Sequence, residues 1–179
     1  YADSYEVVFH LAAVTNALRS REYAAINTGG TMKLIKGLRR GGFQGRFVLL
    51  SSLAAGGPAP EGEPRLESDR DEPVSRYGLS KLRAEKAVRR ILPAGCTYTI
   101  LRPGAIYGPR EHQILELLKL VSRRGIAPRF GPPVRLQMTH VSDVVSALLR
   151  STIPEAAGRT YYITDTPVWT FDEVIHMAA

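Results

Sequence analysis

Residues 46–52 read RFVLLSS, a continuous apolar run that ends in two serines. A run of this length without polar alternation is typical of a strand buried on both faces in a parallel sheet. Residues 6–13 (EVVFHLAA) and 97–102 (TYTILR) have the same character. Helical patterns at about 23–40 and 76–92 separate the three runs. Because strands and helices alternate, the sequence predicts an α/β fold with a parallel sheet.

Weaker signals organise the rest of the chain. Residues 53–75 are rich in glycine, proline and charge, which predicts a long loop. Ser142 is expected to be a helix N-cap, and Thr170 opens a capping-box sequence. The further elements expected are a helix at about 113–124, a strand near 135–138, a helix at about 142–150 and a strand at 160–163.

Composition excludes several classes of protein. The 179 residues are 44% hydrophobic and 23% charged, as in an ordinary globular domain. No apolar run approaches the roughly 20 residues that span a bilayer, so no membrane partner is expected. Cys96 is the single cysteine and cannot form an internal disulfide, which favours a reducing compartment and a cytoplasmic protein.

The net charge of +7 raises the possibility of nucleic-acid binding. The arginine pairs, however, fall near the ends of predicted helices, where cations complement the helix dipole. No aromatic residues are interleaved with them, so we expect no nucleic-acid partner. His112 and His140 lack neighbours at metal-ligand spacing, so no metal site is predicted.

The segment YGLSK at 77–81 opens the second predicted helix, and its spacing places Tyr77 and Lys81 on one face. An ammonium favours the phenolate, so Lys81 is expected to lower the pKa of Tyr77 from about 10. Such a phenol can exchange a proton with a substrate hydroxyl. Ser52 ends the preceding strand, at the edge of an open sheet where ligands bind. The alternative is an exposed Tyr–Lys pair with no function.

Six short segments lie in order along nearly the whole chain: VFHLAA at 8–13, NTGGT at 27–31, VLLSS at 48–52, YGLSK at 77–81, RPGAIYGP at 102–109 and THVSDVV at 139–145. Together they resemble the extended short-chain dehydrogenase/reductase family, which comprises NAD(P)-dependent epimerases, dehydratases and related reductases. The resemblance implies an enzyme that uses NAD or NADP.

The resemblance also implies a role for each matching residue. Tyr77 would be the catalytic acid/base, Lys81 would lower its pKa and hold the nicotinamide ribose, and Ser52 would polarise the substrate oxygen. Asn27 would either brace the active-site helix or contact the cofactor, and His10 is expected to be a buried strand residue. The other positions expected at the cofactor are Leu11, Ala12, Ala13, Ser51, Pro103 and Gly104.

The chain lacks the glycine-rich turn with which the family begins and which binds the cofactor pyrophosphate. We therefore interpret it as part of a longer protein with a Rossmann-like, doubly wound sheet that is incomplete at its N-terminus. Residues 1–111 would form a partial dinucleotide-binding and catalytic region. Residues 112–179 would form part of a small substrate region interleaved with the last strands. This stretch alone is expected to bind cofactor poorly.

The implied function is hydride transfer between a nicotinamide and a hydroxyl- or carbonyl-bearing carbon of a small molecule. Dehydratases of the family commonly carry an Asp-Glu pair where this chain has Leu53-Ala54-Ala55, and epimerases often carry an arginine where it has Leu136. These differences favour a ketone or alcohol reductase of the steroid or dihydroflavonol dehydrogenase type.

A nucleotide-sugar epimerase or dehydratase is the alternative within the family. A non-catalytic, cofactor-sensing or scaffold member of the fold is the alternative from another class, and the presence of Ser52, Tyr77 and Lys81 argues against it. The resemblance further implies a homodimer, formed through the helices that follow the first two strands.

Overall fold

The computed structural model describes residues 5–60, 63–112, 116, 119, 135–170 and 172–174. The chain forms two compact units. One consists of Tyr1–Arg102 and Ala147–Tyr162, and the other of Pro103–Ser146 and Ile163–Ala179. The functional boundary predicted after residue 111 stays a prediction.

The regular elements are named in chain order. They are β1 (Val7–His10), α1 (Ser20–Glu22), a π-helical stretch (Tyr23–Gly30), α2 (Thr31–Arg40), β2 (Arg46–Leu50), α3 (Arg76–Ile91), β3 (Thr97–Pro103), β4 (Ala105–Tyr107), β5 (Arg135–Leu136), β6 (Met138–His140), α4 (Val141–Arg150), β7 (Arg159–Ile163) and β8 (Trp169–Thr170). Two short 3-10 turns lie at Leu53–Ala55 and Pro154–Ala156. Among the described helices, none combines the length and the apolar character that crossing a lipid bilayer requires.

The main sheet has the strand order β1–β2–β3–β7. β1 is parallel to β2, and β2 is parallel to β3. His10 pairs with Leu49, and Leu50 pairs with Leu101, so these strands end at the same edge. The predicted α/β class with a parallel sheet is confirmed. The residues that follow β1 and β2 therefore share one edge of the sheet.

The core of the first unit lies between the sheet and the helices α2 and α3. Burial of apolar side chains from both layers is the main contribution to its stability. The fully buried cluster consists of Ile35, Phe47, Leu49, Ala84, Val88 and Ile100. This core fixes α3 against β2, and these two elements carry the candidate site.

The helical segment before β2 differs from its predicted form. It begins at Ser20 rather than near Tyr23, and its middle part, Tyr23–Gly30, is π-helical. A π-helical turn has a wider hydrogen-bonding ring than an α-helical turn and is frequent at functional sites. Asn27, 2% exposed, lies in this stretch.

The second unit contains two small pairings. β4 pairs in parallel with β6, whereas β5 pairs antiparallel with β8. The strand expected near 135–138 is thus two short strands, which separate at Gln137. The helix predicted at 113–124 lies outside the described residues, apart from Glu116 and Lys119.

The prediction of Ser142 as an N-cap is wrong, because α4 begins at Val141. The backbone amide of Ser142 donates to Nδ1 of His140 at 3.3 Å, so the histidine ring accepts from the first turn instead. At Thr170 the capping box forms as expected. Thr170 Oγ1 accepts from the amide of Glu173 at 3.2 Å, and the amide of Thr170 donates to Glu173 Oε2 at 2.7 Å.

Candidate active site

Ser52 follows β2 directly, and its extended backbone makes it the N-cap of the turn at Leu53–Ala55. Its Oγ accepts a hydrogen bond from the amide of Ala54 at 3.2 Å. A serine suits this position because its short side chain can accept from an unpaired amide of the following turn. The hydroxyl is therefore held at the carboxyl edge of the sheet by the chain that follows it.

The start of α3 packs directly on this turn. Ser75 is the N-cap of α3, and its Oγ accepts from the amide of Gly78 at 2.9 Å. A Cβ atom at Gly78 would lie 2.1 Å from the carbonyl oxygen of Ala54. Only glycine permits this approach, because real Cβ atoms do not come so close to backbone atoms. Gly78 thus brings the first turn of α3, with Tyr77, to the turn that holds Ser52.

Tyr77 is half-buried, and its ring lies edge-on to that of Tyr23 with the centroids 5.8 Å apart. Burial raises the pKa of the Tyr77 phenol, a hydrogen bond with Ser52 lowers it in part, and Tyr23 raises it again. The net direction is upward. The two hydroxyls predicted to share a substrate oxygen therefore interact with each other in the structure.

The expectation that Lys81 lowers the pKa of Tyr77 is wrong for this structure. Lys81 Nζ donates to the backbone carbonyl of Leu50 at 2.6 Å, at the end of β2. The net direction of the Tyr77 pKa is upward, with burial as its largest cause, so the ammonium does not offset the burial of the phenol. At neutral pH the phenol carries its proton.

Lys81 is itself almost fully buried, with 4% of its surface exposed. Burial lowers the pKa of Lys81 to about 8, and the negative charge of Glu85 opposes this effect. An ammonium has three N–H donors, and the Leu50 carbonyl is the acceptor it uses among the described residues. Its other donors suit a ligand with vicinal hydroxyls, such as a ribose. The donor set thus fits a dinucleotide at this edge.

Leu11, Ala12 and Ala13 follow β1 and are exposed. They lie at the same edge of the sheet as Ser52, because β1 and β2 end in register. Exposed small side chains allow a flat ligand to approach the strand end closely. Their predicted role in binding the cofactor stays a prediction, and the geometry fits it.

Asn27 joins the loop after β1 to α3. Its Oδ1 accepts from the amide of Val14 at 2.8 Å, and its Nδ2 donates to the carbonyl of Val14 at 3.0 Å and to Ser80 Oγ at 2.9 Å. Ser80 Oγ in turn donates to the carbonyl of Tyr77 at 2.7 Å. Both N–H groups of the amide are used, so Asn27 braces the backbone of α3. A contact with the cofactor stays a prediction.

His10 is 8% exposed, and its Nε2 lies 2.9 Å from Thr31 Oγ1. The expectation of a buried strand histidine is confirmed. Burial lowers the pKa of His10, and the charge of Lys81 lowers it further, so the ring is neutral at pH 7. Within the described part of the chain, no group of three or more possible metal ligands comes together.

Sequence reasoning missed the buried charges beneath the site. Glu85 is fully buried, and its carboxylate accepts from Ser51 Oγ at 2.5 Å and from Arg102 Nε and Nη2 at 2.9 and 2.7 Å. Arg89 Nη2 lies 3.3 Å from the same carboxylate. Arg102 Nη1 also pairs with Asp71 at 2.8 Å. The Glu85 network, as we call this group, consists of Ser51, Asp71, Glu85, Arg89, Arg102 and Tyr162.

One signal for this network was present in the sequence. Arg102 ends the apolar run at 97–102, and charged residues are almost never fully buried unless they are paired. Burial alone would lower the pKa of Arg102, but its bonds to Glu85 and Asp71 raise it. Ser51, predicted at the cofactor, gives its hydroxyl to Glu85. Its role in cofactor binding stays a prediction.

Pro103 and Gly104 belong to the second unit. The amide of Gly104 donates toward Ile163 O and Thr139 Oγ1, both at 3.1 Å. A Cβ at Gly104 would lie 2.3 Å from the carbonyl oxygen of Gln137, so this packing requires glycine. The predicted position of both residues beside the nicotinamide stays a prediction.

A model of the NAD dependent epimerase/dehydratase family matches residues 2–163. Ceramide reductase from Caulobacter vibrioides is 32% identical over 148 residues, which cover 83% of this chain and 41% of the reductase. UDP-glucose 4-epimerase from Vibrio cholerae is 30% identical over 173 residues, which cover 89% of this chain and 52% of the epimerase. The chain spans about half the length of the curated relatives it matches.

The structure of RMD from Pseudomonas aeruginosa complexed with NADPH superimposes with a TM-score of 0.83 at 26% identity. This superposition covers 96% of the present chain and 64% of that protein. The family match includes all six segments that suggested the resemblance. The chain therefore belongs to the NAD-dependent epimerase/dehydratase family.

Proposed function

We propose that the protein containing this chain is an NAD(P)-dependent oxidoreductase in which Tyr77 is the acid/base. The observation that carries the proposal is the meeting of three groups at one strand end. Tyr77 interacts with Ser52, and Lys81 Nζ is bound to the last carbonyl of β2. When bound, the nicotinamide supplies or accepts a hydride at the substrate carbon.

In the direction of reduction, a carbonyl carbon gains a hydride and its oxygen gains a proton. The Tyr77 phenol donates that proton, and solvent replaces it. The pKa of Tyr77 lies above its ordinary value, so the phenol is protonated at neutral pH and has the proton to donate. In the reverse direction the alcohol proton returns to Tyr77.

Ser52 and Lys81 support this proton transfer from two sides. The Ser52 hydroxyl, which is close enough to the phenol to lower its pKa in part, donates a hydrogen bond to the same substrate oxygen. Lys81 uses its remaining N–H donors to hold the ribose hydroxyls of the cofactor.

We propose a ketone or alcohol as the substrate. The turn that follows Ser52 is Leu53–Ala55, which is apolar and lacks an acidic pair. The similarity to ceramide reductase supports the same assignment. A nucleotide-sugar epimerase is the second candidate, supported by the similarity to UDP-glucose 4-epimerase.

The test is an assay of NADH and NADPH oxidation by the full-length polypeptide, over panels of ketones and of UDP-sugars. Tyr77→Phe is expected to lower kcat by a factor on the order of 100 to 10,000, because general acid catalysis is lost. Tyr161→Phe, at an exposed tyrosine of β7, is the matched control and should leave kcat unchanged. Equal turnover by Tyr77→Phe and wild type would exclude the acid/base role. Activity on UDP-sugars alone would replace the reductase by the second candidate.

A further inference from the structure

Four charges of alternating sign follow one another through the first unit. Asp71 pairs with Arg102 at 2.8 Å, and Arg102 pairs with Glu85 at 2.7 Å. Glu85 lies one helical turn after Lys81 on α3, and its charge acts on the buried ammonium. The hydrogen bonds of the Glu85 carboxylate go to Ser51, Arg102 and Arg89, so its effect on Lys81 is electrostatic.

The groups around Lys81 leave Glu85 as its main anionic neighbour. From β1 it faces His10, which is neutral at pH 7. From β2 it faces the carbonyl of Leu50, and on its own helix it shares a face with Tyr77, whose phenol is protonated. Burial disfavours the charged form of a lysine, and a nearby opposite charge favours it. A carboxylate one turn away therefore opposes the effect of burial and helps the ammonium to persist above neutral pH.

We propose that Glu85 is a positioning residue that keeps Lys81 charged, and that Arg102 and Asp71 set the strength of its field at Lys81. This inference rests on the proposed function only for its consequence in catalysis. Arg102, together with Arg89 on the same carboxylate, would cancel much of the field of Glu85. Asp71, on the loop between β2 and α3, neutralises Arg102 from the other side. The chain of charges thus connects the conformation of that loop to the charge of Lys81.

The proposal predicts shifts of opposite sign for two substitutions within one network. Glu85→Gln removes the anion nearest to Lys81 and should lower the titration midpoint of Lys81 by about one pH unit or more. Arg102→Gln removes the cation that opposes it and should raise that midpoint. Asp71→Asn should lower the midpoint by less than Glu85→Gln does. A merely structural role for the network predicts no such pattern.

The experiment follows the Lys81 side-chain ¹³Cε resonance against pH in the full-length polypeptide without substrate, with assignment by its absence in Lys81→Met. Glu155→Gln removes an exposed carboxylate and is the matched control, with the midpoint expected to stay near that of wild type. Amide spectra establish that each variant is folded. Asp71 has 23% side-chain exposure, so Asp71→Asn is the variant that tests the proposal if the other two do not fold.

Equal midpoints in wild type and the folded network variants, or shifts of the same sign for Glu85→Gln and Arg102→Gln, would overturn the proposal. The pH profile of kcat/KM separates it from the proposed function. If the inference and the proposed function both hold, the alkaline limb of the kcat/KM profile moves with the NMR midpoint of Lys81 in each variant. A midpoint that moves while the limb stays would leave the inference about Glu85 intact and remove Lys81 from the proposed mechanism.

Discussion

Lys81 and Glu85 lie one turn apart on α3, and both are almost completely buried, yet they differ in how they are satisfied. Glu85 accepts from three side chains, two of them cationic. Among the residues that the structure describes, Lys81 donates to one backbone carbonyl, and burial lowers its pKa to about 8. A buried charge that is fully paired holds a structure together, whereas one left with spare donors costs stability and is available to a ligand.

The largest expected effect is at Glu85, the fully paired residue of the two. Glu85→Ala leaves the Arg102 guanidinium buried with Asp71 as its remaining carboxylate partner. The free energy of unfolding should fall by about 3–5 kcal/mol, as when one partner of a buried pair is removed. Urea denaturation of the full-length polypeptide measures it, with the exposed Glu155→Ala as control. A loss below about 1 kcal/mol would mean that the network contributes little.

Lys81→Met should act in the opposite direction on stability. The pKa of Lys81 is about 8 when folded, against 10.5 for a free lysine, so folding is penalised while the side chain stays charged. At pH 7 the substitution should raise the free energy of unfolding by up to about 3 kcal/mol, while activity is lost.

The pH dependence of this gain in unfolding free energy shows whether the charge of Lys81 causes it. The penalty in wild type is fully present below pH 8 and disappears as the pH rises from 8 toward 10.5. The gain of Lys81→Met should therefore shrink over that window in urea titrations. A gain that is independent of pH would show that repacking, rather than charge, is the cause.

Gly78→Ala tests the packing that brings Tyr77 to Ser52. The new Cβ would lie 2.1 Å from the carbonyl oxygen of Ala54, so α3 must move. We expect a loss of about 1–3 kcal/mol in stability, measured by urea denaturation, and a fall in kcat with little change in KM. Gly37→Ala on α2, where an added Cβ would meet no atom within 4 Å apart from its chain neighbours and the backbone of its own helix, should instead be neutral or slightly stabilising. Equal behaviour of the two variants would contradict this account.

The smallest effect is expected at an exposed ion pair. Arg70 Nε and Glu72 Oε1 lie 3.6 Å apart, and both side chains are mostly in solvent. Glu72→Gln should change stability by less than about 0.5 kcal/mol, because surface pairs are weak and screened. Thermal melting measures this change. A clearly larger loss of stability would show that Glu72 contributes more to holding this end of the loop than its exposure implies.

Local patterns were enough to predict the sheet edge and the residues on it. RFVLLSS ends at the strand end in the structure, and the helix predicted from about residue 76, with YGLSK in its first turns, begins at Arg76. These features depend on chain periodicity and on hydrogen bonds between near neighbours. The pKa of Tyr77 depends on burial, and the Glu85 network depends on partners that are distant in the sequence, so local patterns predict neither.

The Glu85 network shows that limit clearly. Glu85 reads from the sequence as one more charge on an amphipathic helix, and its partner Arg102 lies 17 residues away. Asp71 lies in a loop whose composition indicates only turns.

At Ser142 the local signal for a cap was present, but the ring of His140 accepts the amide instead.

The π-helical stretch at Tyr23–Gly30 limits which insertions and deletions this region can accept. Residues within a narrow α-helical coil are rotated by about 100° from one to the next. Deleting one residue upstream of Asn27 would convert the π-helical stretch to α-helix. The Asn27 side chain would then rotate about the helix axis and lose its hydrogen bonds to Val14 and Ser80. Homologues that differ in length between Ser20 and Asn27 should therefore lack either the π-helical stretch or the asparagine.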